Sequence, residues 1–175
     1  MGADWSTEIG KYTMQLSDLF EGVGERSVYH GTFTGRAVKI IQTGAILPNT
    51  KHDASQLMLS PEKQLVKGVS TSRNLLFALY YATGAVFEFD LTALKQRYRV
   101  IPVDFYSYRP EGRVRKSARS EAEEFIVSNS AIPLKPYLRA IHVLQRRFDA
   151  IADDPAMAAL ANHPLVKIVS ERRLG

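Results

Sequence analysis

Four segments of this chain carry side chains that could bind or react with a ligand. They are two predicted strand ends at 29–32 and 68–72, a pair of tyrosines at 80–81 and an acidic stretch at 121–127. In the first, Gly31 removes a side chain where another molecule can approach the backbone, so that a main-chain amide and the His30 imidazole are offered to one ligand. This pair suits a carboxamide that lies beside a sugar hydroxyl.

The acidic stretch offers a carboxylate for chemistry at a sugar. Alternation along a strand places Glu124 and Ile126 on one face and Glu123 and Phe125 on the other, so the adjacent glutamates cannot both enter one pocket. A carboxylate near an anomeric carbon stabilises the oxocarbenium character that develops when the bond to a leaving group breaks. One of the two glutamates is therefore a candidate catalyst.

The segment before Glu121 is both basic and aromatic. Between positions 105 and 119 its only acid is Glu111, and its rings and cations are Phe105, Tyr106, Tyr108, Arg109, Arg113, Arg115, Lys116 and Arg119. Cations bind phosphates and rings stack on bases or contact a protein surface, so this loop could hold a nucleic acid or an acidic protein. The alternative is a solvated run of charges.

Hydrophobic periodicity and helix-breaking residues predict a mixed α+β chain. The predicted strands are Ser27–His30, Val69–Thr71, Ala85–Phe89, Val100–Val103, Glu123–Ser128 and Tyr137–Leu144. Predicted helices cover Lys11–Phe20, a segment capped by Thr34 and closed by Gly44, Leu75–Tyr81 after Asn74, a segment from Asp90 to Arg97, and a short segment after Asp154 and Pro155. The polar stretch from Ala45 to Lys67 lacks periodicity and is predicted to be a lid-like loop.

Composition predicts one domain that spans residues 1–175. The chain is 45% hydrophobic and 23% charged, without a repeat or a linker. With no cysteine and only four histidines, it is expected to hold no metal and to use no thiol nucleophile. Neither a signal-peptide layout nor an apolar run of about 18 residues is present, which predicts a cytoplasmic protein without a membrane partner. The net charge of +5 favours anionic partners.

The order of the four segments resembles the mono- and poly-ADP-ribosyltransferase superfamily, whose members cleave NAD and transfer ADP-ribose to a target. Tyr29-His30-Gly31-Thr32, followed by the Ile-rich segment 37–44, is similar to the first motif of the histidine-type branch. Glu124-Phe125-Ile126-Val127, followed by Ile132 and by 136–138, is similar to the last motif of poly(ADP-ribose) polymerases. The resemblance covers most of residues 28–144, and it also places Tyr81 thirteen residues after Gly68, where that family keeps a tyrosine.

One motif departs from the histidine-type branch. Ser70 stands where that branch has a tyrosine, and the sequence Ser70-Thr71-Ser72 is similar to the arginine-type branch instead. The chain thus resembles a hybrid with a His-Ser-Glu pattern. The DNA-directed toxins of some toxin–antitoxin pairs share a similar Glu-hydrophobic-Val segment before a proline, but their distinctive substrate motifs are not evident here.

The resemblance implies a split β core of two mostly antiparallel sheets with flanking helices, and NAD as co-substrate in a cleft between the sheets. It implies that Glu124 and His30 are catalytic. The residues expected to bind NAD are His30, Gly31, Thr32, Ser70, Ser72, Arg73 and Tyr81, with Tyr81 stacked on nicotinamide, Arg73 near the pyrophosphate, and the two serines near Glu124 or the ribose. Those expected to bind the acceptor are Tyr108, Arg113, Arg115 and Glu121.

These residues predict a monomeric mono-ADP-ribosyltransferase that acts on a protein or a nucleic acid. Within the superfamily that the chain resembles, a small stand-alone domain is typical of mono-transferases and of secreted effectors or toxins. The resemblance therefore implies a site of action in the cytoplasm of the producing cell or of a target cell. Two alternatives remain open. Water could be the acceptor, which makes the protein an NAD glycohydrolase, or the basic loop alone could be functional, which makes it a nucleic-acid-binding module without enzymatic activity.

Overall fold

The computed structural model describes residues 26–54, 57, 59, 64–75, 78–79, 82–103 and 123–170. The predicted helix Lys11–Phe20 and the basic, aromatic loop before Glu121 lie outside the described residues. No helix in the described ranges is long and apolar enough to cross a membrane.

The described residues form strands and short helices in alternation. The strands are β1 (Ser27–Thr32), β2 (Ala45–Ile46), β3 (Thr50–Asp53), β4 (Leu65–Ser72), β5 (Ala85–Asp90), β6 (Arg99–Val103), β7 (Glu123–Val127), β8 (Ile132–Pro133), β9 (Leu138–Leu144) and β10 (Val166–Val169). The helices are α1 (Thr34–Thr43), α2 (Leu91–Arg97), α3 (Gln145–Ile151) and α4 (Ala158–Ala161), with a 3-10 turn at Pro155–Met157. Helical hydrogen bonds also run from Ala78 N–H to the Asn74 carbonyl and from Ala82 N–H to the Ala78 carbonyl. The described residues of this stretch, Asn74, Leu75, Ala78, Leu79 and Ala82, are called the 74–82 segment below.

Most strands join one large sheet in the order β10-β9-β5-β1-β4-β7-β6, and β3 pairs with β4 beside this row. All of these pairs are antiparallel except β9 with β10. The sheet is nevertheless split in its middle, because β1 and β4 share a single residue pair, Tyr29 with Ser72. Each side of this point is a well-paired antiparallel half, which confirms the predicted α+β fold with a split β core.

Several helix ends follow the predicted local chemistry. Asp90 caps α2 by accepting a hydrogen bond from Ala93 N–H at 2.9 Å, and Asp154 caps the 3-10 turn in the same way from Ala156 N–H. Gly44 ends α1 with a φ of 66°, in the left-handed region that glycine enters without strain. The N-cap of α1 is Phe33 and not Thr34, since Thr34 is already helical and no side chain caps this end.

The sequence predicted a loop from Ala45 to Lys67, and this prediction is wrong for several parts of the stretch. It contains β2, β3 and the start of β4. Strands of two to four residues are too short to show a periodic pattern, and their pairing is decided by distant partners: β2 with β8, and β3 with β4. Neither α3 nor the strand β10 is predicted from the sequence.

Apolar side chains pack on both faces of the sheet. One face carries Val28, Phe87, Ile126 and Ile141, which pack with residues of the four α-helices in one core cluster. The opposite face carries Tyr29 and Val86 under the 74–82 segment. Near β7 it continues into a smaller cluster around Phe125. The strands at the centre of the sheet are therefore held from both sides.

A buried polar cluster lies on the Tyr29 face. The Ser27 hydroxyl donates to Glu88 Oε1 at 2.9 Å, and His142 Nε2 donates to Glu88 Oε2 at 2.8 Å. The hydrogen bond from His142 lowers the pKa of Glu88, against the effect of burial, which raises it. These contacts join β1, β5 and β9 by charge-assisted hydrogen bonds, so the Glu88 carboxylate is a fixed part of this half of the sheet.

We expect His142→Leu to destabilise the protein by about 3–5 kcal/mol, because it leaves the buried Glu88 carboxylate without its strongest donor. Chemical denaturation at pH 7 measures this. A matched control, His163→Leu, removes only an exposed local hydrogen bond to Leu165 N–H and should cost about 1 kcal/mol or less. Equal losses in the two variants would contradict a structural role for the cluster.

The same cluster predicts a direction for acid unfolding. Because the folded-state pKa of Glu88 is below its ordinary value of 4.5, the unfolded chain binds this proton more tightly. Its stabilising contribution is therefore present above about pH 4.5 and is lost as the pH falls through the folded-state pKa. Glu88→Gln should reduce this part of the pH dependence, as measured by melting temperature between pH 3 and pH 7.

Candidate active site

The gap between β1 and β4 is the feature that assembles the candidate site. One edge of β4 pairs with β3 as far as Gly68 and meets β1 at Ser72, and no described strand pairs with residues 69–71 on this edge. The His30 imidazole crosses the gap and donates from Nδ1 to the Ser70 carbonyl oxygen at 3.0 Å. A side chain thus satisfies a backbone acceptor where the β ladder is interrupted.

The surroundings of His30 favour its neutral form by lowering its pKa. Removal from water lowers its pKa below the ordinary 6.5, and the positive charge of Arg36 acts in the same direction, while the hydrogen bond to Ser70 opposes both. With Nδ1 donating to a carbonyl, the neutral ring presents Nε2 as an acceptor. His30 can therefore accept a hydrogen bond from a hydroxyl of a bound sugar.

Packing alone requires a glycine at position 31, whether or not a ligand also approaches the backbone there. A Cβ at this position would lie 2.8 Å from the Ala78 carbonyl oxygen and 3.0 Å from Ala82 Cβ. The 74–82 segment therefore rests directly on β1, one residue from His30. Thr32, the next predicted NAD-binding residue, is buried opposite Ala85 at the end of β1.

A cavity of about 380 Å³ opens beside His30. Arg36 and Lys39 of α1 line it together with apolar residues of α1 and β2, and its lining also includes Leu47 and Asn49. The Arg36 guanidinium also lies 5.4 Å above the centre of the exposed Phe33 ring. Two cations next to a neutral imidazole make this cavity suitable for a ligand that carries both phosphate and sugar groups.

The two glutamates of β7 face opposite sides of the sheet, as strand alternation predicted, because Glu123 pairs with Ser72 and Glu124 with Thr71. Glu124 is 3% exposed, and its Oε1 lies 3.2 Å from Arg73 Nε. Glu123 is 8% exposed, and its Oε1 accepts hydrogen bonds from the Ser70 hydroxyl at 2.5 Å and from His52 Nε2 at 3.2 Å.

The structure brings His30, Ser70 and the start of β7 together. Several of the other predicted residues contact partners that the sequence did not predict. Ser70 contacts Glu123 rather than Glu124. Ser72 accepts a hydrogen bond from Asn74 N–H and so shapes the turn after β4, and Arg73 pairs with Glu124. The residues that lie outside the described part of the chain are Tyr81, Tyr108, Arg113, Arg115 and Glu121.

Sequence reasoning missed three residues near the site. His52 lies on the four-residue strand β3, which no local pattern marked. Arg36 and Lys39 could have been found, because cations three residues apart share one face of a helix and this helix begins just after His30. No group of three or more His, Asp or Glu side chains in the described ranges is placed to hold a metal ion.

We expect Gly31→Ala to destabilise the protein by about 1–3 kcal/mol, because the added methyl group must push the 74–82 segment away from β1. Gly35→Ala is the matched control. A Cβ there would be in ordinary contact with the Phe33 ring, and alanine favours a helix over glycine, so the control should be neutral or stabilised by about 0.5–1 kcal/mol. Guanidinium unfolding of the two variants measures the difference, and equal effects would contradict the tight packing at Gly31.

No protein-family model and no curated protein sequence matches this chain. Solved structures of DarT from Thermus sp. 2.9 do match it. The complex with NAD+ has a TM-score of 0.50 and 14% identity, covering 83% of this chain and 96% of that one. The complex with ADP-ribosylated ssDNA has a TM-score of 0.48 and 15% identity over 82% and 94%, and the carba-NAD+ complex 0.45 and 16% over 84% and 95%. The match to the NAD+ complex shows that this chain has the ADP-ribosyltransferase fold of DarT.

Proposed function

We propose that this protein is an NAD-dependent ADP-ribosyltransferase. The observation that carries the proposal is the contact of His30 with Ser70 across the gap between β1 and β4, one strand away from two buried glutamates. The solved structure that shares this fold holds NAD+. A bound dinucleotide needs cations for its pyrophosphate and an acceptor for its ribose hydroxyls, and its cleavage is helped by a carboxylate. The cavity, His30 and the β7 glutamates supply these groups.

The cavity and the gap suit the two ends of the dinucleotide. Arg36 and Lys39 would bind the pyrophosphate, because both cations line the cavity that starts at His30. His30 Nε2 would accept a hydrogen bond from a ribose hydroxyl. The nicotinamide end then extends beyond His30 along the gap, and the anomeric carbon of its ribose lies near β7.

The reaction breaks the bond between the nicotinamide nitrogen and the anomeric carbon. Nicotinamide leaves with the bonding electron pair as a neutral ring, and the ribose gains oxocarbenium character that a β7 carboxylate stabilises. A nucleophile of the acceptor then bonds to the anomeric carbon and loses its proton to a base or to water. With water as the acceptor, the same steps give free ADP-ribose.

The acceptor in this proposal is a macromolecule, either a nucleic acid or a protein, that receives a single ADP-ribose. The net charge of +5 supports an anionic acceptor. We propose the cytoplasm, of the producing cell or of a target cell in the manner of an effector or toxin, as the place of action.

Incubation with NAD+ labelled in its adenylate part tests the activity. We expect release of nicotinamide, measured by chromatography. We also expect transfer of the label to an oligonucleotide or to a protein mixture. Labelled ADP-ribose as the sole product would instead favour the glycohydrolase. Absence of both NAD+ binding and nicotinamide release would contradict the proposed function.

Loss of the imidazole should weaken NAD+ binding. We expect His30→Ala to raise the dissociation constant about 10-fold, the effect of one lost hydrogen bond to the ligand. Isothermal titration calorimetry measures this, with Lys95→Ala on the exposed face of α2 as the control that keeps wild-type affinity. Unchanged affinity in His30→Ala would remove His30 from the site.

The lowered pKa of His30 predicts the pH dependence of binding. Protonation of Nε2 removes the acceptor, and because the folded-state pKa lies below 6.5, affinity should be level between pH 8 and pH 6.5 and should fall only at lower pH. Calorimetry from pH 5 to pH 8 measures this, and His30→Gln, whose amide oxygen does not titrate, should lack the fall. A step above pH 6.5 in the wild type would contradict the assignment.

A further inference from the structure

We propose that Arg73 binds the acceptor, and that the group it recognises is a phosphate of a nucleic acid. One part of its guanidinium holds Glu124, and the other part holds the phosphate next to the nucleoside that receives ADP-ribose. This inference rests on the proposed function and names the acceptor for it. The resemblance to the superfamily leads instead to a position of Arg73 near the pyrophosphate of NAD.

The two faces of the sheet show which β7 glutamate shares a surface with His30. Val28 of β1 and Ile126 of β7 belong to one core cluster. His30 is two residues after Val28 and therefore lies on the same face of β1. Glu124 is two residues before Ile126 and lies on that face of β7. In this proposal the reacting ribose is bound between His30 and Glu124, over β4.

Arg73 lies beside this position, directly after the end of β4. Its Nε is 3.2 Å from Glu124 Oε1. The Glu124 side chain is 5% exposed, whereas the Arg73 side chain is 45% exposed. The Arg73 side chain therefore connects a buried carboxylate with the surface of the protein, which is the side from which a large acceptor must approach.

The shape of a guanidinium allows it to hold two anions at once. It is planar and carries five N–H donors in fixed directions, and Nε, which contacts Glu124, has only one of them. The terminal nitrogens can donate two parallel hydrogen bonds to the oxygens of a phosphate. A phosphate bound in this way lies within the width of one guanidinium group of the Glu124 carboxylate, and so close to the reacting carbon.

Strand register separates Arg73 from the far end of the cavity that is proposed for the pyrophosphate. Asn49, in the cavity lining, directly precedes β3, whose first residue pairs with Gly68 of β4. Arg73 follows the other end of β4, about 16 Å from Gly68 at the rise of an extended strand. Ala131 also lines the cavity and follows the end of β7, whereas Glu124 is at the start of that strand. Arg73 is therefore at the Glu124 end of the opening, and the cavity extends in the other direction.

A nucleic acid fits this position better than a protein surface does. Every nucleotide carries a phosphate beside the sugar and the base that can be modified, so an anion is always close to the reacting atom. The acidic side chains of a protein have no such fixed relation to the modified atom. The net charge of +5 also favours a polyanion as the acceptor.

Arg73 takes no part in making or breaking bonds. A nucleophile of the nucleotide bonds to the anomeric carbon, nicotinamide leaves with the electron pair of the broken bond, and the proton of the nucleophile passes to a carboxylate or to water. The guanidinium stays charged throughout. Its contribution is to bind the acceptor and to orient it towards the ribose.

The first test measures the use of a mixed-sequence oligonucleotide, offered as DNA and as RNA, by Arg73→Gln. We expect the KM for the oligonucleotide to rise about 10-fold, the effect of one lost charge-assisted contact. The slope of log K for oligonucleotide binding against log salt should become shallower by about one. The dissociation constant of NAD+ should change less than about 3-fold, because the cations of the cavity still bind the pyrophosphate.

Lys167→Gln is the matched control. It removes one positive charge from an exposed position on β10, at the far edge of the sheet, and should keep the wild-type KM and salt slope. A weaker affinity of Arg73→Gln for NAD+, without a rise in the KM for the oligonucleotide, would overturn the inference, since it would place Arg73 at the pyrophosphate.

The second test uses Arg73→Lys, which keeps a cation beside the buried Glu124 if Arg73→Gln fails to fold. Lysine has no planar fork and cannot hold two oxyanions in the same geometry. We expect this variant to melt near the wild-type temperature and to show a KM for the oligonucleotide raised about 3-fold or more. A folded Arg73→Lys with the wild-type KM would contradict the proposed contact with phosphate.

The wild-type protein separates failure of this inference from failure of the proposed function. A wild type that neither binds NAD+ nor releases nicotinamide overturns both. A wild type that releases nicotinamide but labels only proteins, and no oligonucleotide, overturns this inference and leaves the proposed function in place.

Discussion

The interrupted pairing of β1 with β4 is the constraint on which the rest of this structure depends. A continuous ladder would satisfy both edges with backbone hydrogen bonds and leave no room for a ligand. Here a single residue pair, Tyr29 with Ser72, joins the two halves, and the His30 side chain takes over the acceptor that the ladder leaves at Ser70. An opening at the centre of a sheet is thereby compatible with satisfied backbone groups.

Strand alternation gives two adjacent acidic residues different environments. Because alternate strand residues face opposite sides, β7 places Glu123 with Ser70 and His52 on one face and Glu124 with Arg73 on the other. Two carboxylates one residue apart thus have separate partners and need not share a proton or a pocket.

The parts that surround the opening are held firmly. The Glu88 cluster ties β1 to β5 and β9 beside the gap, and the bare Gly31 allows the 74–82 segment to pack on β1. Preorganised polar groups are effective only when their supports do not relax, so a buried charge network close to the opening is consistent with a site that works through fixed electrostatics. The cations of α1 add an attractive field for anions in the cavity beside His30.

The sequence by itself determined the local features: the strand that carries His30, the caps at Asp90 and Asp154, the glycine that ends α1, and the opposite orientation of Glu123 and Glu124. Each follows from the chemistry of one residue or from the period of one element. Only the tertiary structure decided that Ser70 contacts Glu123 and that His52 joins them, since these partners are 53 and 71 residues from Glu123 along the chain. No local pattern encodes such contacts, because the pairing of β3 and β7 with β4 depends on the packing of the whole sheet.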